Sequence, residues 1–402
     1  MTSTKVPPTM CISCKGVLDS SLEHVFPQSL GGTKKSRNLY CGACNVRLGA
    51  EIDAPFVKDF EFATTALNIK RDRGAPPVLR ATTIDGKKIY LGPGGVPSLQ
   101  APTSTVIEEP DGTRHVKLTV PADRPELHEH MVAKVAKELG IDAAALPLRS
   151  ISFETISAGT VDGKLAAGGP QHARAVGKIA LGFLALEIGD EVFTEPYERL
   201  RVAVMHGGDV YAWLHRPFRE LIAPTLPPTD GVQHRVIIYT TRAETWAHVE
   251  VYGTYGYGVL LAETQDARFA SPYVWGQNPT TGASDEGQTP GTPLPTPVRA
   301  AAMPTQEDHR GLIIAMKQVA LDIAYESTID EEVAIAFAEL GDDDEPDPAF
   351  LGELHRRITE RFVALRDPSR SLKLSRPVAG QDVLERIRRA LRAVAAKRNK
   401  RG

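Results

Sequence analysis

At 402 residues the chain is longer than one compact core usually fills, so two or three domains are expected. With 42% apolar residues, 24% charged residues and a net charge of −3, it reads as an ordinary globular protein. That balance excludes a disordered chain and a general basic coat for nucleic acid. No run reaches the roughly 20 apolar residues of a membrane span. The start, MTSTKVPPTM, has neither the basic end nor the apolar stretch of a secretion signal, so a cytoplasmic protein without membrane contact is expected.

In chain order, the first informative segment holds all four cysteines, as Cys11-Ile-Ser-Cys14 and Cys41-Gly-Ala-Cys44. In a long chain with no other cysteine, such clustering points to metal rather than to disulfides. Two CxxC knuckles place four thiolates around one tetrahedral Zn²⁺. A shell closed by four protein ligands leaves no position for substrate, so this zinc is structural.

The segment between the knuckles reads Ser21-Leu22-Glu23-His24-Val25-Phe26-Pro27-Gln28-Ser29-Leu30-Gly31-Gly32, then Ser36-Arg37-Asn38-Leu39-Tyr40 before Cys41. Asn45 follows Cys44 directly. Over residues 11–53 this order resembles the HNH endonuclease family in its zinc-knuckle branch. That branch shows an acidic residue plus His, an apolar-x-Pro step, a Gly-Gly turn, an Asn-Leu step, and a CxxC followed by His or Asn.

The resemblance implies a small zinc-stapled ββα-metal domain and metal-dependent hydrolysis of DNA rather than RNA. It implies His24 as the general base that activates water, a role suited to an imidazole. It makes Glu23 a metal ligand, Asn38 the residue that orients the histidine or its loop, and Asn45 the second metal ligand. A carboxylate and an amide oxygen are hard donors, which favours Mg²⁺ or Mn²⁺ as the catalytic ion. Neighbours on a strand point to opposite faces, so Glu23 and His24 need a local bend to converge. Asp53, in GAEIDAP, either completes a metal shell or caps the next helix. Lys34, Lys35, Arg37, Arg47, Lys70, Arg71 and Arg73 are either phosphate contacts or a solvated surface.

Residues 56–73 have helical apolar spacing, broken after Gly74 by Pro76 and Pro77. Strands and turns are expected over 78–121, where IDGKK and EPDGT are hairpin signals. A helix is expected over 125–140, and LRSISFETIS alternates like a strand. PQHARAVGKIALGFLALEIG, over 170–189, reads as a buried helix. On it Arg174 and Lys178 either hold an anion or carboxylate, or snorkel from its edge. ERLRVAVMHGG is a helix or a strand. HRVIIYTT, WAHVEVYG and YGVLLAE resemble an antiparallel meander.

Residues 276–308 are rich in Pro, Gly, Thr and Ser and read as a linker. Three helical patterns follow, near 309–340, 349–366 and 380–400, and the chain ends in a basic tail.

The fold class expected is α+β, in four parts. They are a zinc-stapled HNH domain at 1–73, a mixed α+β domain at 74–275, the linker at 276–308, and a helical C-terminal region at 309–402. Free-standing HNH proteins often serve bacterial defence against phage or mobile elements, with the remaining domains sensing a trigger, positioning substrate or forming homo-oligomers. The competing reading is a catalytically silent zinc module that binds nucleic acid or a protein partner.

Overall fold

The computed structural model describes residues 6–72, 74–83, 86, 88–108, 110, 114–120, 127–140, 142, 167–215, 232–288, 306–339 and 347–365. The expected strand at 148–157 and the expected helix at 380–400 lie outside these residues. The chain divides into two compact units, residues 1–316 and 317–402. The architecture is mixed α and β, as expected.

The first unit opens with a short antiparallel hairpin, β1 (Glu23–His24) paired with β2 (Lys35–Ser36). A helical run follows: α1 (Gly42–Leu48), a π turn (Gly49–Asp53), α2 (Ala54–Asp59) and α3 (Glu61–Ala66). The helix expected from residue 56 therefore begins earlier and bends at Phe60, whose backbone leaves helical geometry. The order β, β, α is that of the zinc-stapled module expected from the motif.

The strands that flank each Asp-Gly signal pair with one another. β3 (Leu79–Thr82), β4 (Lys88–Leu91) and β5 (Pro97–Leu99) make a three-stranded antiparallel sheet. β6 (Thr103–Glu108) pairs with β7 (Arg114–Thr119), and α4 covers Leu127–Leu139.

The centre of the unit is α5 (Gly169–Ile188), buried on almost every face from Ala175 to Ala185. A helix apolar all round must be covered on all sides. Towards the hairpin module, a Cβ on Gly182 would meet Val25 and Leu39. Towards α6 (Glu198–His206), a Cβ on Gly177 would meet Val204 and Val210. The ambiguous ERLRVAVMHGG is thus helical.

The opposite flank of α5 meets a six-stranded antiparallel sheet of order β13-β12-β9-β10-β11-β8. β9 (His234–Thr240), β10 (Thr245–Val251) and β11 (Tyr255–Ala262) form the expected meander, and β8 (Ala212–His215) extends it past β11. On the other edge, β12 (Tyr273–Gln277) pairs with β9 and β13 (Ser284–Gln288) pairs with β12. The segment read as a linker from 276 therefore begins as the sheet edge. Its low periodicity follows from β13, which is exposed throughout and has no apolar face.

One hydrophobic core joins these parts. Phe26, Leu39, Leu48 and Phe56 of the module share it with Ile179 and Phe183 of α5 and with Val236, Val249 and Trp275 of the sheet. The zinc-knuckle segment is built into this core rather than strung beside it.

α7 spans Gln306–Glu339 and α8 spans Pro348–Leu365. In the second unit Ile329, Val333 and Ala336 pack on Leu354 and Ile358, and Arg357 Nε donates to Glu332 Oε2 at 3.0 Å.

Candidate active site and metal centre

The four cysteine sulfurs all lie within 4.8 Å of one another, and none forms a disulfide. Local chain geometry explains this. Cys11 and Cys14 sit on a tight knuckle closed by Cys11 N–H to Gly16 O (2.9 Å) and Lys15 N–H to Cys11 O (2.8 Å). Cys41 is the residue before α1 and Cys44 lies in its first turn, so the helix start presents both thiols to the knuckle. Cys14 Sγ and Cys41 Sγ are 3.8 Å apart. A tetrahedron with bonds of about 2.3 Å has edges of about 3.8 Å. The donor set and its spacing fit zinc. Cys41 is drawn below the usual thiol range by the Cys44 backbone N–H, while burial pushes Cys11 up.

Two residues that the sequence did not single out brace this centre. The Asp19 carboxylate accepts from Gly42 N–H (2.8 and 3.0 Å), capping α1, and from Ser21 N–H (3.1 Å). Those bonds hold Asp19 below the ordinary carboxylate range, as an anion at a helix N-terminus should be. Buried Arg201 of α6 donates through Nη1 to Ile12 O (2.9 Å) and Ser13 O (3.1 Å), and pairs with Glu198. Asp19 had no local signal, because it caps a helix that starts 23 residues further on. Arg201 had none, because its targets are carbonyls more than 180 residues away.

His24 is on β1 opposite Lys35 and is half-buried. Its Nε2 is 3.1 Å from Asp72 Oδ2, off the direction of a hydrogen bond. Lys35 Nζ donates to the same Asp72 oxygen at 2.8 Å. Burial, and then Lys35, lower the His24 pKa against the pull of Asp72. The ring is therefore neutral, able to accept a proton, at neutral pH.

Glu23 obeys the strand alternation and points the other way. It is 5% exposed and meets α5, where Lys178 Nζ donates to Glu23 Oε1 at 2.6 Å. Lys178 also donates to Asp53 Oδ2 at 2.5 Å. Asp53 makes no cap for α2; its carboxylate is spent on Lys178. Lys178 does not snorkel, and Arg174 donates to Val204 O (2.8 Å) and Glu51 (3.4 Å).

Asn45 commits its amide nitrogen to Ser21 Oγ (3.0 Å) and Leu22 O (3.1 Å), fixing the residues that lead into Glu23. Asn38 lies in the turn after β2, half-buried, with its N–H on Ser36 Oγ (3.1 Å). The structure thus brings Asn45 to the entry of β1, whereas Glu23 and His24 serve different neighbours.

The loop after His24 is pinned to the sheet. Phe26 stacks on His234 with centroids 4.2 Å apart, and His234 Nε2 lies 2.8 Å from Leu30 O. Gly31 has φ of 102°, and a Cβ there would strike Pro279 at 2.6 Å, so only glycine fits the turn. Gln277 donates to Gly31 O and accepts from Thr33 N–H (3.0 Å).

Of the basic residues, Arg37 donates to Ser20 O, Arg47 to Ser13 Oγ and Met205 O, and Lys34 pairs with Glu286. These are structural ties within the unit.

Residues 11–61 match the family model described as HNH endonuclease. The module is thus of HNH type over the stretch that carries the knuckles, β1, β2, α1, the π turn and α2. Comparison with curated proteins and with solved structures gave no match.

Proposed function

We propose that the chain is an HNH-type endonuclease that hydrolyses DNA phosphodiester bonds, with His24 as general base. The observation that carries this reading is His24 itself. Within the matched segment it is half-buried, kept neutral by its surroundings, and placed beside Lys35, a cation suited to a phosphate oxygen. The neutral His24 imidazole takes the proton from the attacking water, and Asp72 beside it balances the charge that forms on the ring. Asn38 and Asn45 act as positioning residues for the strand that carries the base. A zinc held by Cys11, Cys14, Cys41 and Cys44 would tie the Cys11–Cys14 knuckle to the start of α1. Among the described residues no helix is long and apolar enough to cross a membrane.

The resemblance assigns a catalytic Mg²⁺ or Mn²⁺ to Glu23 and Asn45. The arrangement does not fit that ion, because the Glu23 carboxylate is already held by the Lys178 ammonium. A role in phage defence or with mobile elements, and self-association, belong to the same proposal and are supported by the family resemblance alone.

The Glu23–Lys178 bridge favours a second reading, in which the module is silent and binds nucleic acid through the HNH fold. Plasmid nicking by wild type and His24→Ala, each with Mg²⁺, with Mn²⁺ and with neither, separates the two. Nicking by wild type that His24→Ala loses supports the hydrolase. Equal nicking by both sinks His24 as base. Retention of DNA without nicking under all three conditions establishes the silent module.

A further inference from the structure

A lysine near the middle of an apolar helix ordinarily runs its stem to the edge and its ammonium into water. Lys178 has no such edge, because α5 is covered on one side by the HNH-type module and on the other by the sheet. It is 4% exposed. Its ammonium sits between Glu23 Oε1 and Asp53 Oδ2, at 2.6 and 2.5 Å, and 5.6 Å from the centre of the Tyr40 ring. Two carboxylates and an aromatic face thus enclose one cation.

The two acids come from different parts of the module, Glu23 from β1 and Asp53 from the end of the π turn. An α-helical path through 49–53 would rotate Asp53 relative to α1, so the extra residue of the π turn sets its direction. Burial raises Glu23 above the usual carboxylate range despite Lys178. For Lys178, burial works against the charge, but Asp53 and Glu23 outweigh it and hold it above its ordinary value. Two carboxylates face one ammonium; Lys178 and Glu23 are buried, and Asp53 is half-buried.

Hard divalent ions take carboxylate oxygens at about 2.0–2.6 Å. The oxygens that face Lys178 Nζ are at that range already. An ion bound to both would fall almost on the nitrogen, so ion and ammonium exclude one another. We propose that the Lys178 ammonium is the resident cation of the Glu23–Asp53 pair, seated where a divalent ion would otherwise bind. Lys178 then ties the base-bearing strand to α5 and supplies a fixed positive charge one residue from His24. The wild-type pair takes no divalent ion. Replacing the ammonium by a neutral side chain of similar length leaves two facing carboxylates, one buried and one half-buried, which recruit one.

Direct counting of bound Mn²⁺ by electron paramagnetic resonance on the zinc-loaded full chain tests this without any nucleic acid. Its outcome is therefore separate from that of the nuclease reading. Wild type and Asp53→Asn are expected to bind the same number of Mn²⁺ ions. Lys178→Met is expected to bind one more per chain, lost again in Lys178→Met/Asp53→Asn. A Mn²⁺ in wild type that Asp53→Asn removes overturns the proposal, as does a folded Lys178→Met that gains none. Should Lys178→Met not fold, the wild-type ammonium resonance of Lys178 decides alone. It is expected to be protected from solvent exchange and unmoved by millimolar Mg²⁺. Its loss or displacement by Mg²⁺ refutes the assignment.

Discussion

His234 offers a quantitative test of how the loop after His24 is held to the sheet. Its ring is fully buried, stacks on Phe26, and uses both nitrogens: Nε2 lies 2.8 Å from Leu30 O, and Nδ1 accepts from Tyr252 N–H at 3.3 Å. Only the neutral ring with its proton on Nε2 satisfies both, since a proton on Nδ1 would face another N–H. Burial brings its pKa down to about 4 from 6.5. The unfolded chain binds a proton as pH falls through about 6.5, whereas the folded chain does not until about 4. Stability is therefore lost on acidification across that window and not above it. The gap of about 2.5 pH units corresponds to about 3 kcal/mol in full, of which about 2 kcal/mol is expressed between pH 7 and pH 5. Urea unfolding at pH 7, 6 and 5 is the assay, comparing wild type with His234→Gln, whose amide can still donate to Leu30 O. Losses common to both proteins, including those from the zinc thiolates, cancel. Wild type is expected to lose about 2 kcal/mol more than the variant between pH 7 and 5. Parallel loss in the two, or an imidazole titrating near 6.5 by NMR, refutes the argument.

His24→Ala is expected to lower nicking by about 10²–10⁴-fold while zinc content and circular dichroism stay as in wild type; comparable rates in the two would remove His24 from the chemistry. Cys41→Ser should lose bound zinc and the ordered first module together, because metal binding supplies folding energy there. Elemental analysis beside amide exchange over residues 11–61 reads both, and retained protection without zinc would contradict it. Arg201→Met should cost about 1–3 kcal/mol, since Ile12 O and Ser13 O are left buried without donors. The shift in urea midpoint measures it, and a change below about 0.5 kcal/mol would show that water replaces the guanidinium.

The local chemistry of the first module is legible because it is written at short range. The CxxC spacing, Glu23-His24, the Gly31-Gly32 turn and the Asn45 step each depend on residues a few positions apart. The meander of β9, β10 and β11 is equally local, since alternation and short turns set antiparallel neighbours. β12 and β13 escape detection because one is buried throughout and the other exposed throughout, so neither alternates. Asp53 shows the same limit at a single residue. Its place before Pro55 suits a cap, but its carboxylate is claimed by Lys178 from 125 residues away.

The sequence by itself determined the four-cysteine cluster, the HNH-type module and the opposite facing of Glu23 and His24, because thiolate spacing and strand alternation are properties of adjacent residues. Only the tertiary structure decided what Glu23 faces. Burying α5 between module and sheet carries Lys178 to the Glu23 carboxylate. A buried charge must find its counter-charge wherever the fold supplies one.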